Sequence, residues 1–138
     1  MCLKYLSNVL SIYQMTKRKC NYCNAKITEG RSDKKFCNVH CRSAFQYAQN
    51  ISKEPVYHKV KKALQVNRKI MKKYNLAGFA STRVDTLTAE GFNPRFTTHS
   101  WRNSKGEEYK FVFEFGFLEF HAAGKTKYKL VKWQEYMN

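Results

Sequence analysis

The chain has 138 residues, of which 26 are Lys or Arg and 10 are Asp or Glu, giving a formal net charge of +16 at pH 7. That length holds one ordinary domain or two small ones, and it contains no run of about 18 apolar residues that would cross a membrane as a helix. The charge is uneven: residues 1–75 carry 17 Lys and Arg against 3 Asp and Glu, whereas residues 76–138 carry 9 against 7, so an anionic partner is expected on the N-terminal half.

In chain order, residues 3–13 are mildly apolar, but Ser7, Asn8 and Ser11 interrupt them and no small-residue cleavage site follows, which argues against a secretory signal. Met15-Thr16-Lys17-Arg18-Lys19 reads as a natural start. Residues 1–14 are therefore expected to be an upstream extension, either not native or a weakly ordered helix, with no function assigned.

Cys20, Cys23, Cys37 and Cys41 follow in the spacing C-x2-C-x13-C-x3-C. Two pairs so spaced bring four thiolates round one tetrahedral Zn²⁺, because each short turn sets two sulfurs a metal's width apart. Disulfides are disfavoured by the odd cysteine count of 5 and the absence of a secretory signal. A redox C-x2-C would open a helix in a βαβ unit and would need no second pair. The fourth ligand has a competitor, since His40 offers C-x2-H; Cys41 is preferred because a fourth thiolate closes an all-cysteine structural site. Cys2 has no partner and is read as a bystander. Between the pairs, Glu29-Gly30 and Ser32-Asp33 are turn formers that suit a short hairpin. Knuckle, hairpin and helix together give a treble-clef or zinc-ribbon module over residues 15–50.

Gly30-Arg31-Ser32-Asp33-Lys34-Lys35-Phe36-Cys37, followed by Cys41-Arg42-Ser43-Ala44-Phe45, resembles a family of small bacterial zinc-ribbon proteins of Bacteroidetes type with the motif GRSDKKFC-x3-CR. The likeness continues through Asn67-Arg68-Lys69-Ile70, Glu90-Gly91-Phe92-Asn93 and Phe113-Glu114-Phe115-Gly116-Phe117-Leu118. What it implies is zinc binding and no further activity. Through Phe36-Cys37 and Cys41-Arg42 the zinc core is also similar to FCS-type fingers and to the small zinc-finger inhibitor of DNA gyrase, families that do not share the C-terminal half.

Residues 41–49 are expected to form the helix of the zinc module, with Ala44, Phe45 and Ala48 inward. Asn50 to Glu54 break the pattern, and Ser52 is a candidate N-cap before Pro55. A long amphipathic helix is expected over residues 53–74, where Val56, Val60, Ala63, Leu64, Ile70, Met71 and Tyr74 keep helical periodicity and Asn67 interrupts the stripe. Its opposite face carries Lys61, Lys62, Arg68, Lys69, Lys72 and Lys73 with no acid four residues away. A solvated face is the ordinary meaning of such a stripe; the scarcity of acids in this half favours a polyanion instead.

Farther on, Asp85 suits the cap of a short helix ending at Gly91. Three β-like runs follow, at residues 95–101, 108–120 and 127–133, with turns at Asn103-Ser104-Lys105-Gly106 and Ala122-Ala123-Gly124. The expectation is a C-terminal three-stranded antiparallel meander, its middle strand placing Phe111, Phe113, Phe115 and Phe117 on one core face by period two. Phe115 to Phe120 match the last six places of the RRM signature, but Phe113 and Glu114 stand where a basic residue and a glycine belong, so core packing is the reading. Gly124-Lys125-Thr126 lacks the first glycine of a phosphate loop, which is Glu119 here, and is rejected.

His40, His58, His99 and His121 are scattered, and no paired carboxylates or Ser/His/Asp arrangement accompanies them. The sequence thus reads as a cytoplasmic α+β protein: a zinc module holding one structural Zn²⁺, then a helix and sheet over residues 51–138. Its expected function is non-catalytic nucleic-acid binding, with Lys34, Lys35, Arg42 and the helix cations on phosphates and no small-molecule substrate. The alternative is a protein-binding regulator, like the gyrase inhibitor, whose basic face only steers association.

Overall fold

The computed structural model describes residues 18–138. The expected extension at residues 1–14 and Cys2 lie outside the described residues. The chain forms two compact units, one ending at Pro55 and the other spanning Val56–Asn138.

In the first unit, a knuckle at Cys20 is closed by backbone bonds from Cys20 N to Ala25 O (2.8 Å) and Asn24 N to Cys20 O (3.0 Å), with a bridge between Lys19 and Lys26. Asn24 takes φ 60°, a conformation asparagine tolerates better than most residues. The turn expected after it is present, with Lys34 N bonded to Arg31 O (3.1 Å), but residues 27–36 form no strand ladder, so the expected hairpin is a loop. Helix α1 follows at Val39–Lys53, longer at both ends than expected. Asn38 is its N-cap, the side-chain oxygen accepting from Cys41 N at 2.8 Å. Ser52 lies inside α1 and donates back to Gln49 O, so it caps nothing; Pro55 limits the break to Glu54, because the residue before proline is pushed out of the helical region.

The second unit takes in α2 (Pro55–Tyr74) from its second residue on, and in it Asn67, Ile70 and Met71 are buried. Only the C-terminal half of the expected apolar stripe goes inward, for Val56 remains 72% exposed. Next come β1 (Phe79–Arg83), α3 (Val84–Ala89), β2 (His99–Arg102), β3 (Glu108–Val112), β4 (Phe115–Ala122), β5 (Lys125–Lys132) and a 3-10 turn at Glu135–Met137. The strands make one antiparallel sheet in the order β1-β5-β4-β3-β2. Asp85 sits in the first turn of α3 rather than at its cap, which is Arg83. That helix stops as expected at Gly91 (φ 100°): Gly91 N bonds Thr88 O and Phe92 N bonds Leu87 O, which also buries Phe92 beside Leu87.

Five strands replace the expected three because β1 joins the sheet at its edge and one expected strand is two. Residues 108–120 are two strands, β3 and β4, folded at Phe113-Glu114 with Val112 opposite Phe115. Phe113 takes φ 55°, the first position of a two-residue hairpin turn usually given to glycine. The reversal sends the four phenylalanines to different places. Phe115 and Phe117 join Ile70, Met71, Leu87, Phe92, Val112, Tyr128 and Leu130 in the core against α2 and α3. Phe111 faces the other side with Tyr109 and Met137, and Phe113 stands half-exposed in the turn. The turns at residues 103–106 and 122–124 occur where expected, with Ala123 and Gly124 both at positive φ as a type I′ hairpin turn requires.

Candidate metal centre and basic groove

Cys20 and Cys23 come from the knuckle, Cys37 precedes the Asn38 cap, and Cys41 lies in the first turn of α1. Their sulfurs all lie within 4.8 Å of one another. Cys23 and Cys37 are 3.6 Å apart, and Cys37 and Cys41 3.4 Å. Four sulfurs at about 2.3 Å from a tetrahedral metal are separated by about 3.8 Å, so the cluster fits a metal ion with little adjustment. Among the described residues this group contains no histidine; His40, on the turn of α1 between Cys37 and Cys41, is exposed.

The crowded thiols perturb one another. Burial is the largest single influence on the Cys20 thiol and pushes it up, but backbone N–H groups of Cys23, Cys37 and Tyr22, with the Cys23 thiol, outweigh burial and bring it down to about 6. The Cys41 thiol is pushed up to about 12, first by its hydrogen bond to Cys37 and then by burial. Cys37 is raised too: its bond with Cys41 pulls it down, while Cys23, burial and Cys20 together push it up more. Crowding of the thiols and their burial thus make Cys41 and Cys37 resist ionisation, a penalty that a bound cation removes.

The packing of this unit also calls for a metal. Its buried apolar side chains among the described residues are Cys20 and Ile27, and α1 buries none. Phe36 and Phe45 meet at 5.2 Å between ring centroids, but a unit this small has too little core to offset its chain entropy.

Comparison of the chain with protein-family models, with curated proteins and with solved structures finds no match. The resemblance to small bacterial zinc-ribbon proteins rests on the quoted residues alone.

Beside the cysteines lies an open groove of about 730 Å³, whose lining includes Arg31, Lys34, Lys35 and Arg42 together with Asp33, Phe36 and Val39. Lys34, Lys35 and Arg42, singled out from sequence, are thus brought together, and none forms an ion pair among the described residues. Arg31, which the sequence alone does not single out, joins them. Its place one turn of chain before Lys34 was the available signal, and its carbonyl is held by the Arg18 guanidinium.

In the second unit, the six α2 cations divide. Arg68 donates to both oxygens of Glu114, from Nε at 2.9 Å and from Nη2, while Lys73 meets Glu90 at 2.7 Å. The acids come from the β3–β4 turn and the end of α3, so the expectation of an unneutralised stripe holds only within the helix itself. Lys61, Lys62, Lys69 and Lys72 form no ion pair among the described residues and are exposed.

Among the described residues, no helix is long and apolar enough to cross a membrane.

Proposed function

We propose that the chain is a non-catalytic zinc-binding protein that binds nucleic acid through its basic N-terminal half. The observation that carries this reading is the groove lined by Arg31, Lys34, Lys35 and Arg42 together with Phe36 and Val39. Arg and Lys donate charge-assisted hydrogen bonds to phosphate oxygens, and a groove with four cations and one acid favours a polyanion over a neutral ligand. The four cysteines hold one structural Zn²⁺ in a treble-clef or zinc-ribbon arrangement, which fixes the loop and α1 that present the cations. A closed set of four protein ligands leaves no position for substrate, which is why the reading is non-catalytic. Lys61, Lys62, Lys69 and Lys72 add phosphate contacts along α2, and the protein is placed in the cytoplasm, where thiols stay reduced.

The test is a salt titration of binding to duplex and single-stranded oligonucleotides, with Lys35→Gln/Arg42→Gln beside the wild type. If each of the two cations meets one phosphate, their loss is expected to flatten the log–log slope by about 1.8 on duplex DNA or about 1.4 on a single strand. Unchanged slopes on both would remove the groove from the binding surface.

A second reading draws on Tyr22, Val39 and Tyr47, which expose more than half of their surface on the zinc module. Such side chains suit docking on a protein, the basic surface then serving to steer association. Affinity purification with and without nuclease separates the two readings, since recovery of a single protein despite nuclease supports the second.

A further inference from the structure

One face of the sheet packs on α2 and α3; the opposite face is closed only in part. At its β2–β3 end, Met137 of the C-terminal turn buries against Tyr109 and Phe111, and Trp133 meets the Phe111 ring at 5.1 Å. Toward β4, β5 and β1 the character changes from aromatic to basic. Strand pairing sets Arg83, Lys127 and Phe120 side by side in one row across three strands, with Lys129 beside Leu118 in the next row and Lys125 beside Ala122 on the other side. Period two along β5 puts Lys125, Lys127 and Lys129 on this same face, about 6.7 Å apart in succession. The Lys129 ammonium leans toward the Phe120 ring, 5.9 Å from its centroid.

Among the described residues an acid meets Arg83 but none meets the three lysines. Glu119 points to the helix-covered face, since it is paired with the core residue Tyr128, and Asp85 reaches Arg83 at 3.5 Å. The three lysines form no ion pair among the described residues.

We infer that this basic half of the outer sheet face is a binding platform for single-stranded nucleic acid. The lysines recur at a spacing commensurate with consecutive phosphates of an extended strand, and Phe120 offers a ring between them on which an unpaired base stacks. A duplex keeps its bases stacked inside and gains nothing from Phe120, so the platform distinguishes single strands from duplex. This goes beyond the reading of the N-terminal half, because it rests on other residues and on the part of the chain with little net charge.

The experiment uses the full, zinc-loaded chain and measures binding of labelled polythymidylate, polyuridylate and a mixed-sequence duplex. Phe120→Leu, which keeps an apolar side chain, is expected to weaken single-strand binding about fivefold or more and to leave duplex binding unchanged, while Phe120→Trp restores it. Lys127→Gln/Lys129→Gln, at half-buried positions without ion pairs among the described residues, is expected to weaken single-strand binding and flatten its salt slope. A thermal melt of each variant confirms the fold. The inference is overturned if Phe120→Leu and the lysine pair leave single-strand affinity unchanged, or if the lysine pair weakens duplex and single strands alike with no effect of Phe120. Loss of binding on Lys35→Gln/Arg42→Gln alone sinks this inference and keeps the groove; loss on the sheet variants alone does the reverse.

Discussion

Gly116 of β4 lies directly under the ring of Phe111 on β3, so close that a β-carbon there would sit 2.6 Å from the ring's Cζ. Phe111 is fully buried because the glycine lets it lie flat against the sheet, where His99 stacks on it at 5.1 Å and Trp133 meets it edge-on. Gly116→Ala is expected to force the ring and its neighbours aside and to cost about 1–3 kcal/mol. Urea unfolding of the variant measures this, and zinc content should not change.

That contact also shows what the sequence hid. In Phe111-Val112-Phe113-Glu114-Phe115-Gly116-Phe117 the alternation runs unbroken through a chain reversal, because Phe113 occupies a turn position where glycine would have announced it. Periodicity alone therefore merged β3 with β4 and put all four rings on one face. Strand β1 escaped notice for another reason: Phe79-Ala80-Ser81-Thr82-Arg83 is short, polar and at the sheet edge, and its pairing with β5 is set by tertiary packing. The four cysteines were legible because their chemistry demands a fixed spacing. The partners of Arg68 and Lys73 were not, because Glu114 and Glu90 come from distant parts of the chain.

Asn67 interrupts the apolar stripe of α2 yet is fully buried. Its amide donates to Asn93 O (2.7 Å) and Phe96 O (3.0 Å) and accepts from Asn93 N (2.9 Å), clamping the segment between α3 and β2. Asn67→Leu keeps a side chain of similar length but leaves those backbone groups unpaired. A loss of about 2 kcal/mol or more is expected in chemical unfolding, against near neutrality had the position been ordinary core.

Glu114 is held below the ordinary glutamate value of 4.5, first by its hydrogen bonds from Arg68. A carboxylate depressed in the folded state contributes stability that is complete above its unfolded value and lost as pH falls through the lower, folded one. Wild type should therefore exceed Glu114→Gln in melting temperature at neutral pH, and the difference should shrink steadily below about pH 4.5. A gap that stays constant into acid would show that the pair contributes through packing alone.

Removal of the zinc proposed for the four cysteines should act on one unit only. Among the described residues the first unit buries only Cys20 and Ile27, whereas the second buries Met71, Leu87, Phe111, Val112 and Leu130 completely. Chelation is expected to abolish the helical signal of α1 and leave the sheet's cooperative melt in place, with one zinc per chain recovered by elemental analysis. Cys41→Ser should lose the metal and His40→Ala should keep it, because His40 lies outside the sulfur cluster. Retention by Cys41→Ser would move the fourth ligand elsewhere.

The cations of α2 give the last prediction, since the fold divides them into two kinds. Lys62, Lys69 and Lys72 are exposed and without ion pairs among the described residues, whereas Arg68 is tied to Glu114. If the helix touches phosphates, changing those three lysines to Gln should weaken nucleic-acid binding and reduce the magnitude of the salt slope, by up to about 2.7 on duplex DNA if each lysine meets one phosphate. The weakening should be similar across sequences, because phosphate contacts position a protein without reading bases. Folding and zinc content should stay at wild-type levels, since exposed lysines contribute little to stability. Arg68→Gln should do the opposite, lowering the melting temperature through the stranded Glu114 carboxylate while changing the slope by less than a single phosphate would. Equal effects of the lysine and arginine changes on the slope would show that only overall charge attracts the nucleic acid and that α2 itself does not touch it.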